Sequence, residues 1–577
     1  MGGIAMRLPH LNLPNLTRIP LHLGGLAPVH RAAEGNLSYM ENLITEQGVT
    51  ATRAPRAILA APQSGHGMTV VRTAGGEILC YVDGRELVVG ETRYPLGLSD
   101  DEHRLIPFGD KVLIFPERKY LSLSDGASGA LEAVMTTSAS TLFTLCRPDG
   151  SPYTPLSTSP TAPTSPAHGD FWLDTTSCPP ILRCYSAARE EWQTVSNSCL
   201  RLSSPGLGAA FRPGDAVRLA GIAPTELRAL SGIHRLVDCG EDHLVISAPP
   251  TVTLRQHAPL RVTRALPELD PTTLIVWDDR LLGAAKGLDE NGTPITLLCA
   301  CRRGDPFNWE VIDPNDAEDA RRWTLATAEP ITAAVVYGGL PHFFTEHGLL
   351  RLSGYGVTAR WQQIPLEGVM SGCGESLREV GNILYYRARR AMMSYDGKHV
   401  TPLPPLPWNG RPRAAAAGVL GTRYVLSLTE EDGRAHLLVF DTADRLWSRL
   451  DNTRAVTFSS YGNGLCYRDG CDGTVCLLEG DTEGTARWIA ETTPIRARDD
   501  RGRLIRLELT LTLTPDSEAE ILIGYDGAAP REHLATVMGD GTQPMTVTLH
   551  PRSADHITLR LQGHGKAILH TLCKILR

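Results

Sequence analysis

No long run of lysine or arginine interrupts this sequence of 577 residues, in which 56 lysines and arginines face 64 aspartates and glutamates, leaving a net charge of −8. A protein that grips duplex DNA or RNA normally carries a basic patch to displace phosphate counterions, so this balance argues against tight nucleic-acid binding. It does not argue against a neutral or acidic surface past which DNA slides. Long apolar runs are missing too, since none approaches the roughly 18 to 20 residues of a membrane-spanning helix. The opening Met1 to Leu26 is broken by Pro9, Pro14 and Pro20 and has no basic stretch leading into an apolar one, so it does not read as a signal peptide. The expectation is a chain made in a cytoplasm and not exported by a Sec signal. The 13 cysteines are odd in number and scattered, with Cys80, Cys146, Cys239, Cys373 and Cys573 standing alone, which fits reduced, buried thiols rather than a disulfide framework.

Motifs for nucleotide or serine-hydrolase chemistry are equally absent: there is no Gly-x-Ser-x-Gly, no Gly-x-x-x-x-Gly-Lys-Ser/Thr and no Gly-x-Gly-x-x-Gly between strand and helix. Cys466, Cys471 and Cys476 form the most metal-like cluster, but a structural zinc site wants four closely spaced ligands, and a spacing of five across a hairpin sends the thiols to different faces. The pairs Cys299/Cys301 and Cys178/Cys184 are weaker. His66, His342, His347 and His399 fall in or near turns and match no metal-binding spacing. Asp278, Asp279, Glu346 and Glu375 are carboxylates that could serve a propeller glycosidase, although hairpin-turn and solvated acidic residues account for them better. Trp277, Trp309, Trp323, Trp361, Trp408, Trp447 and Trp488 recur at strand or turn positions, where packing between sheets accounts for them better than a sugar-binding surface. No catalytic, cofactor-binding or metal residue is therefore assigned.

What is present is strand. Short β-branched or alternating runs such as Met68-Thr-Val-Val-Arg, Lys111-Val-Leu-Ile-Phe and Arg506-Leu-Glu-Leu-Thr-Leu-Thr-Leu are closed by turn dipeptides. Asp-Gly recurs along the chain, as at Asp83-Gly84, Asp396-Gly397 and Asp526-Gly527, as hairpins require where both turn residues take positive φ. Strands that open a unit return at Gly339, Gly381, Gly421 and Asn463 with a period of about 40 residues, the length of a four-stranded propeller blade. With further units at Met68, Lys111 and Arg280, the reading is a mainly β protein containing a propeller of six or seven blades.

The predicted organisation follows. Residues 1–35 form an extended N-terminal arm, whose proline-rich stretch Leu8 to Pro28 is either disordered or threads onto a neighbour, and 36–140 the first blades. Residues 141–168 are a Pro/Ser/Thr linker, 169–200 a small hairpin module with Trp172 and Trp192 as its core, and 201–268 a small barrel, the two modules forming an insert. Residues 269–492 supply the remaining blades and 493–577 an antiparallel sandwich.

Several segments, read together, resemble the structural β-propeller proteins of tailed bacteriophages and prophages that occur at the tail hub, nozzle or head-to-tail connector, including the DNA-stabilisation type. They are Asn36-Leu-Ser-Tyr-Met-Glu-Asn-Leu-Ile-Thr-Glu-Gln-Gly-Val-Thr-Ala-Thr-Arg-Ala-Pro-Arg, Gly304-Asp-Pro-Phe-Asn-Trp, Phe343-Phe-Thr-Glu-His-Gly-Leu-Leu-Arg-Leu-Ser-Gly, Gly372-Cys-Gly-Glu-Ser-Leu, Ser394-Tyr-Asp-Gly and Val439-Phe-Asp-Thr-Ala-Asp-Arg-Leu-Trp-Ser-Arg. The resemblance covers about Asn36 to Glu491, interrupted by the insert. It implies a non-enzymatic structural role without cofactor, a homo-oligomer in contact with other tail, portal or adaptor proteins, and a place in the virion after assembly in the host cytoplasm. Two alternatives remain: a tail-associated module that binds host-surface glycan through the insert or the C-terminal sandwich, and a propeller glycoside hydrolase.

Overall fold

The computed structural model describes residues 16–577 except 22, 31, 155, 289–291, 326–328, 355–358, 409, 482–483, 485, 500–501, 540 and 542. Among the described residues the chain is β throughout, relieved only by short 3-10 turns such as Thr225–Leu230 and Pro271–Thr273. It divides into two compact units, the first made of Met1–His103, Phe343–Leu350 and Gln363–Arg577, the second of Arg104–His342 and Arg351–Gln362.

Seven sheets repeat one plan of four antiparallel strands. Six are built from consecutive strands within 68–95, 104–130, 275–325, 333–365, 378–402 and 412–451. The seventh takes three strands from 455–477 and its fourth, Ala57–Ala60, from near the other end of the chain. This is the meander of a propeller blade. The period of about 40 is real, but the residues that mark it are second strands and not opening ones: Leu340–Phe344, Ile383–Arg387, Arg423–Glu430 and Gly464–Asp469 each follow a first strand across a tight turn. Gly381 and Asn382 both hold positive φ (58° and 61°) in one such turn, which only glycine and asparagine accept cheaply. Second strands stand out in the sequence because neighbours cover both their faces. Arg423–Glu430 is buried from its second residue to its last, so its apolar run is nearly continuous instead of alternating.

Within the first unit the ends of the chain are sewn together, which corrects three boundaries. Thr17–Leu21 and Val49–Thr52 pair with Ala567–Leu576, and Leu37–Glu41 pairs with Arg487–Thr492. Residues 16–35 are therefore not a free arm, and Leu21, Leu23 and Leu26 are buried in the core of this unit. The proposed arm residues Leu8 to Asn15 lie outside the described residues. Strands of 37–52 belong to the C-terminal sheets and not to a blade, and 493–577 is no self-contained sandwich, because its two sheets need those N-terminal strands and Arg487–Thr492. The physical reason is that Leu37, Met40 and Leu43 are buried in one apolar core with Leu507, Leu559 and their neighbours. Beside it, Arg468 is fully buried between two blade-type sheets, its guanidinium donating to the carbonyls of Gly65, Gly67 and Val82.

In the second unit an eight-stranded sheet runs in the order Ala133–Thr136, Arg261–Arg264, Ala216–Ala220, Gly232–Gly240, His243–Ser247, Cys199–Ser203, Thr141–Cys146 and Leu254–Gln256. Its core is Phe143, Leu200, Leu202, Val217, Leu244 and Val262 with their neighbours. The expected barrel module thus begins at Ala133 and not 201. The segment 141–168 is correspondingly no linker: Thr141–Cys146 is a strand of this sheet and Leu156–Ser159 a strand of the next. Phe143, Leu145, Tyr153 and Leu156 anchor what a count of prolines and serines reads as unpacked.

Candidate functional site

Three of the four carboxylates singled out from the sequence, Asp278, Glu346 and Glu375, are held by separate partners. Asp278 and Asp279 sit at positive φ in the turn between Ile275–Trp277 and Arg280–Leu288, and Asp278 pairs with Arg303. Glu346 accepts the Ser371 N–H at 2.9 Å, and Glu375 pairs with Arg378 at 2.9 Å. A cavity of about 750 Å³ in the second unit is lined by Glu268, Asp270, Lys286, Thr296, Leu269 and Ile331 among others, and by none of those four carboxylates. Asp270 is occupied there in capping a 3-10 turn, accepting from the Thr272 N–H.

The three clustered thiols point apart. Cys466 lies opposite Leu477 while Cys476 lies opposite Tyr467, so the two face opposite sides of one sheet, and Cys471 is exposed in the turn. Cys466 donates to the Ser459 carbonyl at 3.1 Å. Cys299 and Cys301 are core residues, and the Cys301 sulfur accepts the Leu281 N–H. Cys178 is exposed and Cys184 half-buried. His342 is buried with Nδ1 at 2.8 Å from the Leu340 carbonyl, and burial depresses its pKa. His399 pairs with Asp396, and the backbone of His66 bonds to His103. Of the seven tryptophans, Trp309, Trp447 and Trp488 are fully buried; Trp277, Trp323, Trp361 and Trp408 are half-buried.

Two arrangements escape the sequence reading. The first is a buried acid–base couple in the first unit: Glu430 and His436 stand 3.7 Å apart on one face of the 412–451 sheet, with the Trp408 ring stacked on the imidazole at 4.3 Å. Burial raises the Glu430 pKa and lowers that of His436 to about 4, with Arg449 and Arg434 adding to the latter. Both groups are thereby driven towards their neutral forms, and Glu430 Oε1 and His436 Nδ1 make no hydrogen bond. Gly410 lies so close to the Glu430 carboxylate that any Cβ there would collide with it.

The second is a four-stranded sheet in the second unit, Leu156–Ser159, Phe171–Asp174, Ile181–Ser186 and Glu191–Thr194, whose first pair is parallel. Period-two alternation divides its side chains. Phe171, Leu173 and Leu182 pack inward against Leu145, Tyr153 and Val252. On the other face Trp172 stands opposite Arg183, and Tyr185 opposite Trp192. Of the two residues expected as core, Trp172 is buried and Trp192 half-buried, both on the face opposite Leu173 and Leu182. The ring of Trp192 meets Trp172 at 5.5 Å and Tyr185 at 5.3 Å, both edge to face. The Arg183 guanidinium lies 5.7 Å from the Trp172 ring centre and bonds Asp174 at 3.1 Å. Asp174 also accepts from the Thr176 hydroxyl and N–H, and these bonds lower its pKa. The alternation of Arg183, Tyr185, Trp192 and Thr194 was the sequence signal for this face.

No protein-family model matches the chain, and no curated protein does. Among solved structures it is similar to an exo-β-1,3-galactanase from Phanerochaete chrysosporium, at 9% identity over 77% of this chain and 99% of that one, with a TM-score of 0.22. It is similar to a glycoside hydrolase family 43 arabinoxylan arabinofuranohydrolase from Bacillus subtilis, at 10% identity over 69% and 93%, TM-score 0.17. The phage phi92 endosialidase matches at 10% identity over 94% of this chain and 75% of that one, TM-score 0.22. The expectation of a non-enzymatic chain is corrected by these matches, since the proteins it is similar to are enzymes. At such TM-scores the likeness assigns neither a reaction nor a catalytic residue.

Proposed function

We propose that this chain is a structural component of a tailed bacteriophage or prophage particle, a propeller-bearing part of the tail or head-to-tail region that assembles through protein–protein contacts as a ring around the tail axis. The observation that supports this best is the way the first unit ties its ends. Four strands of the first 60 residues bond to strands more than 390 positions later, at Ala567–Leu576, Arg487–Thr492 and Val475–Leu477. The last residue is held as well, Arg577 and Arg503 exchanging backbone hydrogen bonds in both directions. The strand Ala567–Leu576 is thus hydrogen-bonded along both sides and is held against fraying, as a part that transmits force requires. The seven four-stranded sheets supply blades for the propeller of this reading, and an acidic balance of charge suits a wall past which DNA moves.

Negative-stain electron microscopy of the purified protein, with its mass from light scattering, tests the ring. Closed rings with a central opening and a mass that is a whole multiple of the monomer are expected. A chain that stays monomeric at every concentration would overturn the self-assembled ring.

A further inference from the structure

The outward face of the sheet that carries Trp172 and Trp192 is furnished in a way its own folding does not require. Its hydrophobic core lies on the other side, where Leu173 and Leu182 are fully buried. The solvent side of such a sheet is ordinarily polar. Here it holds two of the nine tryptophans of the chain together with Tyr185; Trp172 is buried, while Trp192 on the edge strand and Tyr185 on the strand beside it stay partly exposed. The Ser157 hydroxyl, beside Trp172 on the same face, is buried without a hydrogen-bond partner.

We propose that this face binds a neutral oligosaccharide. A pyranose ring offers C–H faces that stack on aromatic rings and hydroxyls that take paired hydrogen bonds, and both halves of that chemistry are present: the rings of Trp192 and Tyr185, and the Arg183–Asp174 pair beside them. Charge decides between this and the other ligands of aromatic surfaces. Asp174 neutralises Arg183, and the rim at the adjoining turn carries Glu190 and Glu191 against Arg189, so the surroundings repel a nucleic-acid backbone or a polyanionic glycan. The proposal does not depend on where in a particle the chain resides.

The test is saturation-transfer NMR and titration calorimetry on the full chain, with cello-, manno- and N-acetylglucosamine oligosaccharides as neutral probes and a sialic-acid oligomer as the anionic one. At least one neutral probe binds with a sub-millimolar Kd; Trp192→Ala weakens it by about tenfold or more, and Trp192→Phe, which keeps a ring, recovers most of the loss. Unfolding curves of the variants match that of the parent chain, since Trp192 is outside the core. Failure of every neutral probe to bind the parent chain, binding of the anionic probe alone, or an affinity unchanged by Trp192→Ala would overturn the proposal.

Discussion

At the scale of single residues the Glu430–His436 couple makes a measurable claim. The His436 pKa falls to about 4 in the folded chain, against about 6.5 in an unfolded one, so below pH 6.5 the unfolded chain takes up a proton that the folded chain refuses. Stability from this group is complete above pH 6.5 and is lost as the pH falls towards 4, by on the order of 3 kcal/mol. Glu430 works in the opposite sense: its raised pKa favours the fold at low pH and that contribution disappears as the pH rises through the folded value. Urea midpoints measured from pH 7 to 4 are expected to drop more steeply for the parent chain than for His436→Phe, and parallel curves would refute the assignment. None of this was legible in the sequence. Glu430 and His436 are ordinary strand residues until the backbone at Gly410 and the Trp408 ring close over them, and that closure is set by tertiary packing. Trp172 and Trp192 divide on the same point: size marks both as core, yet on the face opposite Leu173 and Leu182 Trp172 is buried and Trp192 only half-buried.

Strands and sheets were more readable than residues. Turn glycines at positive φ between first and second strands recur with the sheets, so the period of about 40 survives the structure even though the residues that mark it belong to second strands. What the period conceals is partnership across the chain. The run Leu37-Ser-Tyr-Met-Glu has the composition of any blade strand, and its partner Arg487–Thr492 is chosen by register and apolar neighbours some 450 residues away. Because Thr17–Leu21 covers the far half of the last strand, deleting residues 1–21 is expected to expose the amides within Leu572–Leu576. Hydrogen exchange there should accelerate more than about tenfold, a local loss of about 1.4 kcal/mol, while the strands of 412–451 keep their protection. Unchanged exchange at 572–576 would mean that the N-terminal strand adds nothing to the sheet.

For the whole molecule, strand-forming runs and turn dipeptides pointed to a β-rich chain of negative net charge, and the 40-residue period to repeated four-stranded sheets. Domain limits were legible only where turn chemistry or a composition change marks them. Segment 141–168 was misread because its few anchors, Phe143, Leu145 and Tyr153, are diluted by proline, serine and threonine. The account's central claim, a structural part of a phage particle, is tested most directly by quantitative mass spectrometry of gradient-purified particles from cells producing them. Peptides of this chain are predicted to band with the capsid and tail proteins in a constant ratio across the particle fractions. Recovery of the chain only in the unassembled lysate, with none in the particles, would contradict it.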